Sequence, residues 1–204
     1  MKDPALRKNQ VRDARYYRFD LPLPATPNTV PIATTPRVLT ALTKEGKRHT
    51  SELVTVNPTK RGRRYRYSYG FTAFAGADDE TSWGDDLWGL VKMDHTQAAA
   101  AAAAEPSSAA SASLSEAAAS DRASATTWVC ANCYPSEPIF VPRPGAIDED
   151  DGVLLSQVYD GEKRESFLLV LDARDMTEMS RCYTGMRCPI SFHGQFIPYE
   201  LKKE

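Results

Sequence analysis

Gly152-Val-Leu-Leu-Ser-Gln-Val-Tyr159, followed after Asp160-Gly161 by Ser166-Phe-Leu-Leu-Val-Leu171, carries the pattern that decides the fold. Both runs are short, apolar and bounded by polar residues. Asp160-Gly161 between them is tight-turn chemistry, with glycine supplying φ > 0, so the pair reads as a hairpin. Outward from it, Glu137-Pro-Ile-Phe-Val141, Glu178-Met-Ser-Arg-Cys-Tyr183 and Ile190-Ser-Phe-His-Gly194 recur about every 8–15 residues, as antiparallel strands do. Short strands repeated between polar turns indicate a propeller blade or a sandwich.

The N-terminal half carries a second group of strands. Glu52-Leu-Val-Thr-Val56, Arg64 to Phe74 and Leu87-Trp-Gly-Leu-Val-Lys-Met93 are β-branched or aromatic, and the middle one alternates by face. Asn57-Pro58 and the acidic stretch from Gly76 to Asp86 separate them, and residues 22–36, with five prolines, read as an extended connector. Residues 98–126 are almost pure Ala, Ser and Glu without an aromatic residue. Ala98 to Ala104 has helix propensity, but Pro106 and the serines interrupt it and no apolar stripe is there to bury, so the segment is expected to be a disordered insertion. Three regions result: strands with a Pro-rich connector over 1–97, the insertion over 98–126, and a C-terminal blade over 127–204.

The chain has 204 residues, and removing the insertion leaves about 175 to build a core. A net charge of -2 and a pI near 6.0 provide no long-range attraction to nucleic acid or an anionic membrane. Lys60-Arg-Gly-Arg-Arg-Tyr-Arg-Tyr-Ser-Tyr69 resembles a phosphate-and-base surface, yet its alternation suits a strand, and no nucleic-acid partner is expected. No run of eighteen or more apolar residues and no secretory leader stand in the sequence, and four cysteines are too few for a disulfide scaffold, so an intracellular compartment is the default expectation.

Several motifs fail on their own chemistry. Asp148-Glu-Asp-Asp-Gly152 invites calcium, but the EF-hand positions for Gly and Glu hold Val153 and Tyr159, which leaves an acidic turn launching a strand. Cys130-Ala-Asn-Cys133 has C-x-x-C spacing. Zinc shared with Cys182 and Cys188, and thiol redox chemistry, both stand behind a reading of unligated cysteines, because the later pair lacks that spacing and no βαβ pattern surrounds the motif. No nucleophile elbow, Walker A run or dinucleotide fingerprint occurs. His49 and His95 sit in polar or Ala-rich surroundings and are expected to be neither buried nor paired. Glu137 and His193, at opposite ends of the C-terminal strand unit, suit a metal ligand and a carboxylate that orients a neighbouring ligand.

The blocks Ser136-Glu-Pro-Ile-Phe-Val-Pro-Arg-Pro-Gly145, Glu149-Asp-Asp-Gly-Val-Leu-Leu-Ser156, Phe167-Leu-Leu-Val-Leu-Asp-Ala173 and Phe192-His-Gly194 resemble, in order and spacing, the C-terminal end of the carotenoid cleavage oxygenases. Arg15 to Leu21, Glu52 to Pro58, Arg61 to Gly70 and Gly89 to Asp94 are similar to the preceding blades. The resemblance implies an all-β fold: C-terminal blades of a seven-bladed β-propeller, incomplete in this chain. It implies Fe(2+) held by four histidines, with His193 as a metal ligand and Glu137 as a carboxylate beside the metal shell that serves a histidine of another blade. The implied reaction is oxidative cleavage of a double bond in a carotenoid or apocarotenoid by O₂, which is not expected of this chain alone. A non-catalytic propeller remnant or interaction module is the alternative. The resemblance leaves room for peripheral membrane contact in the full-length family, not visible in this chain, and the compartment is left open between plastid and cytoplasm.

Overall fold

Every second residue of Gly152–Asp160 is buried, from Gly152 through Leu154, Ser156 and Val158 to Asp160, and that alternation places the strand at the centre of a sheet. The computed structural model describes residues 16–19, 37–39, 51–74, 87–103 and 124–198. Its elements are β1 (Tyr16–Arg18), β2 (Arg37–Leu39), β3 (Glu52–Thr55), β4 (Tyr67–Phe74), β5 (Leu87–Asp94), α1 (His95–Ala103), β6 (Ala125–Val129), β7 (Cys133–Pro135), β8 (Ile139–Pro142), β9 (Gly152–Asp160), β10 (Glu165–Asp172) and β11 (Glu178–Tyr183). The Pro-rich connector at 22–36, His49, the acidic stretch from Gly76 to Asp86 and the middle of the Ala-rich segment lie outside the described residues.

Two antiparallel meanders dominate. The first runs β3-β4-β5-β6; the second runs β11-β10-β9, with β7 and β8 sharing the other edge of β9 end to end. Each fills four strand positions, which is the build of a propeller blade. β1 and β2 pair separately. The fold is therefore all-β, with two blades of a propeller that does not close.

The core forms where the two sheets face each other. Tyr69, Leu90 and Trp128 from the first meet Phe140, Leu154, Phe167, Leu169 and Leu171 from the second, and the Tyr69 ring stacks on Phe140 at 5.4 Å. A polar clasp joins the sheets at one end. Glu149 Oε1 accepts from the amides of Arg66 and Tyr67 at 2.7 and 2.8 Å, and the Glu149 carbonyl accepts from Asn57 Nδ2 at 2.8 Å. Lys92 Nζ reaches Asp150 Oδ2 at 2.6 Å. The acidic turn expected before Gly152 is thus also the tie between blades. Gly152 follows it because an added Cβ would fall on the Val141 carbonyl and the Phe140 ring.

Four local expectations are corrected. The hairpin between β9 and β10 has a longer loop, Gly161 to Arg164, and its left-handed residue is Arg164 (φ 56°). Gly161 is needed for a close approach instead, since its Cβ would stand 3.1 Å from the Asn132 carbonyl. The strand expected from Arg64 begins at Tyr67, the preceding arginines being exposed. Ile190 to Gly194 forms no strand. Finally, both ends of the stretch 98–126 belong to the fold, residues 98–103 in α1 and 125–126 in β6.

α1 exists because Asp94 caps it and because small alanines let it lie close to the sheet. Asp94 Oδ1 accepts from the Thr96 and Gln97 amides at 2.9 and 3.2 Å, and Ala98 is buried with Val91, Met93 and Ala125. His95, expected to be exposed and unpaired, is half-buried. Its Nε2 lies 2.8 Å from Ser68 Oγ, its ring meets Tyr65 edge-on at 5.2 Å, and burial lowers its pKa.

Burial opposes ionisation of Asp94, but the Arg66 guanidinium at 2.7 Å and the Gln97 and Thr96 amides outweigh it and hold the carboxyl below its ordinary 3.8. A carboxyl depressed by folding contributes stability above its unfolded pKa and loses it as the pH falls through the folded value. Asp94→Ala is expected to cost about 1 kcal/mol near neutral pH. Thermal melts of both proteins should show that gap narrowing as the pH drops below 3.8. A gap unchanged down to acid pH would contradict the cap.

Candidate functional site

Pro138 has no N–H to donate, and the edge strand breaks there into β7 and β8. The break leaves Glu137 out of the ladder at the margin of the second sheet. The chain after β11 then returns as an arm across the outer face of that sheet, the face that carries Leu155, Gln157 and Leu168 away from the core. The arm pairs as no strand; polar side chains pin it in succession. Ser166 Oγ accepts from the Cys188 amide at 3.0 Å, Gln157 Nε2 donates to the Pro189 carbonyl at 2.5 Å, and Ser136 Oγ accepts from the Ser191 amide at 3.3 Å. Glu137 Oε2 accepts from the Gly194 amide at 3.1 Å, and Ser191 Oγ donates to the His193 carbonyl at 2.9 Å.

This path delivers His193 to Glu137. Its Nδ1 lies 3.3 Å from Glu137 Oε2, with the carboxylate side chain 17% exposed and the imidazole 78% exposed. The tautomer that donates from Nδ1 to the carboxylate carries its lone pair on Nε2, the atom available to a metal. A hollow of about 260 Å³ opens beside the pair, with Ile139, Leu155, Leu168 and Phe196 on its apolar walls.

Glu137 was expected to serve a histidine of another blade; it meets His193 of the same chain instead. The two lie 56 positions apart, and only the arm's return across β9 and β10 brings them together. Among the described residues no group of three or more His, Cys, Asp and Glu is placed to hold a metal ion, so His193 stands as a single nitrogen donor. His95 sits with Ser68 and Tyr65, apart from this pair.

Ser136, Gln157 and Ser166 went unnoticed in the sequence. Gln157 and Ser166 are single polar residues on otherwise largely apolar strand faces and Ser136 lies just past β7, so nothing marked these three as clamps. Gln157→Ala is expected to free part of the arm at a cost of about 1 kcal/mol. Limited proteolysis should then cut around Pro189 faster than in the wild type while the strands keep their hydrogen-exchange protection. Unchanged cleavage would mean that the other clamps suffice.

Comparison with known proteins follows the same lines. The sequence model of a family described as retinal pigment epithelial membrane protein matches residues 1–198. A torulene dioxygenase of Fusarium fujikuroi is 30% identical over 212 residues, covering 97% of this chain and 30% of that protein. A carotenoid dioxygenase of Neurospora crassa is 35% identical over 74% of this chain and 19% of its own length. The β,β-carotene 15,15'-dioxygenase of Rattus norvegicus is 45% identical over 37% of this chain and 13% of its own. The chain thus spans less than a third of the length of these curated relatives. Among solved structures, cobalt-substituted Synechocystis apocarotenoid oxygenase superposes with a TM-score of 0.58 at 23% identity, over 81% of this chain and 27% of that one. An ACO/RPE65 chimera gives 0.54 at 22% identity, over 78% and 26%. At such identities the likeness speaks for the fold.

Proposed function

The chain belongs to the retinal pigment epithelial membrane protein family, the carotenoid cleavage oxygenases, and on that premise we propose that it contributes blades and one metal ligand to an enzyme that cleaves a carotenoid or apocarotenoid double bond with O₂. The observation that carries this reading is the contact between Glu137 and His193. A carboxylate that holds Nδ1 of a histidine fixes the ring and presents Nε2 to a metal, the arrangement common to metal-ligating histidines. The donor type fits: imidazole nitrogen suits Fe(II).

His193 would hold Fe(2+) through Nε2, and Glu137 would keep the imidazole in the competent tautomer and orientation. Bound iron would supply the electron-transfer chemistry that O₂ needs to react with a closed-shell polyene. The chain's own residues bind and orient: the arm carries the ligand, and Ser136, Gln157 and Ser166 hold the arm. The remaining ligands would come from outside the described residues. Fe(II) stands near the weak end of the divalent series, so a single imidazole retains it poorly and turnover is not expected of this chain by itself.

Titrating the purified chain with Fe(II) under anaerobic conditions, followed by NMR, tests the assignment. Paramagnetic broadening should strike the His193 ring first and disappear from that position in His193→Ala. Broadening centred on His95 or on the cysteines, with His193 untouched, would sink it. Aldehyde or ketone product formed from an apocarotenoid by the iron-loaded chain alone would overturn the claim that further ligands are required.

A further inference from the structure

The turn from Cys130 to Cys133 joins β6 of the first sheet to β7 of the second. The Cys133 amide donates to the Cys130 carbonyl at 3.1 Å, closing a β-turn, and Asn132 takes the left-handed conformation (φ 56°) that the turn requires. The two side chains are thereby driven together. Cys133 Sγ donates to Cys130 Sγ across 2.8 Å, and both cysteines are unbonded thiols.

The sulfurs are not equivalent. Cys133 is buried in the core, whereas Cys130 is half-exposed. Arg181 on β11, whose Nε and Nη2 also donate to Glu178 at 2.5 and 2.9 Å, directs Nη2 at Cys130 Sγ at 3.4 Å, so two donors converge on one sulfur, whose own thiol reaches the Ala131 carbonyl at 3.7 Å. Burial, with the adjacent Cys130, pushes the Cys133 thiol up to about 12, which leaves it the protonated partner. Among the described residues, the sulfurs of Cys182 and Cys188 have hydroxyl groups as hydrogen-bond partners, Ser180 Oγ and Thr184 Oγ1, each at 3.8 Å. A pair of inert core thiols would need neither an exposed member nor a guanidinium on its sulfur.

We propose that Cys130 and Cys133 are a reversible dithiol–disulfide site, in which Cys130 attacks a low-molecular-weight disulfide of the glutathione class and Cys133 resolves the adduct. In the first step the Cys130 thiolate displaces one thiolate from the external disulfide and forms a mixed disulfide. In the second, Cys133 gives up its proton to a departing thiolate and attacks the Cys130 sulfur, forming the Cys130–Cys133 bond and releasing a second thiol. Two electrons pass from the protein to the external disulfide, which leaves as two thiols, and excess reduced thiol reverses both steps. Arg181 accompanies the negative charge that moves onto and off Cys130. Oxidation would staple the turn between the two sheets.

The full chain is incubated, folded, with rising ratios of oxidised to reduced glutathione, acid-quenched, alkylated and mapped by peptide mass. The Cys130–Cys133 peptide is expected to lose two hydrogens while Cys182 and Cys188 remain alkylatable. Cys133→Ser should trap glutathione on Cys130, and Cys130→Ser should leave Cys133 largely unmodified. Arg181→Gln should slow the first step on the order of tenfold, and Arg181→Lys should restore most of the rate. Should Cys133→Ser fail to fold, the wild-type time course carries the same content as a transient adduct at Cys130 ahead of the disulfide. Full alkylation of Cys130 and Cys133 under conditions that modify Cys182 or Cys188, or an adduct at Cys130 that never resolves, would overturn the proposal.

Discussion

Lys92→Met is expected to cost about 3–5 kcal/mol of stability, the loss typical of a buried ion pair stripped of one partner. The ammonium lies on β5 with its side chain 7% exposed, and it donates to Asp150 Oδ2 at 2.6 Å and to the Arg174 carbonyl at 2.7 Å. The Tyr67 ring covers it at 4.1 Å. Methionine fills much of the same volume but leaves the Asp150 carboxylate, 18% exposed, and the Arg174 carbonyl without their donor. Both lie in turns flanking strands of the second sheet, so the tie between blades fails together with the local pair. Domains have about 5–15 kcal/mol in total, so this loss is a large share. Urea denaturation should show a lower midpoint at unchanged slope. Lys92→Met with Asp150→Leu should recover most of the loss, because removing both charges strands neither; a double variant as unstable as the single would contradict the account.

Lys92 also marks where the sequence stops being legible. Leu87-Trp-Gly-Leu-Val-Lys-Met93 reads as a strand whatever its lysine does, since the period depends on the apolar residues. That Lys92 faces inward follows only once Asp150, 58 positions away, is folded against it. β9 was legible for the opposite reason: its partners on both sides come from nearby sequence, and its own alternation fixes its faces. The motif Phe192-His-Gly194 marked the candidate ligand, and the regular recurrence of short runs suggested a strand there. Yet no edge of the second sheet receives Ile190 to Gly194, and the arm crosses the sheet on side-chain hydrogen bonds that have no period to detect. α1 was hidden by the same limitation. Ala98 buries because it is small enough for the helix to approach β5 and β6, whereas a search for an apolar stripe looks for large residues.

The contact between Glu137 and His193 within this chain yields the sharper prediction. Because Glu137 Oε2 holds both His193 Nδ1 and the Gly194 amide, its two roles have to be separated. Glu137→Gln keeps an acceptor for the amide, so the arm should remain docked. It replaces a charged acceptor for the imidazole with a neutral one, which weakens the hold on the tautomer and on the orientation of the ring. Substitutions of such carboxylates typically lower metal affinity by about 10–100-fold, and that is the expected effect here in a Co(II) or Fe(II) titration. Glu137→Ala removes both bonds and should add the proteolytic signature of a loosened arm. Nitrogen-15 spectra of the histidine ring distinguish the roles before any metal is added: the wild type should show the Nδ1-protonated tautomer, and Glu137→Gln a more even mixture. If Glu137→Gln binds metal as the wild type does while Glu137→Ala does not, the carboxylate only anchors the arm, and its assignment as the group that tunes His193 fails.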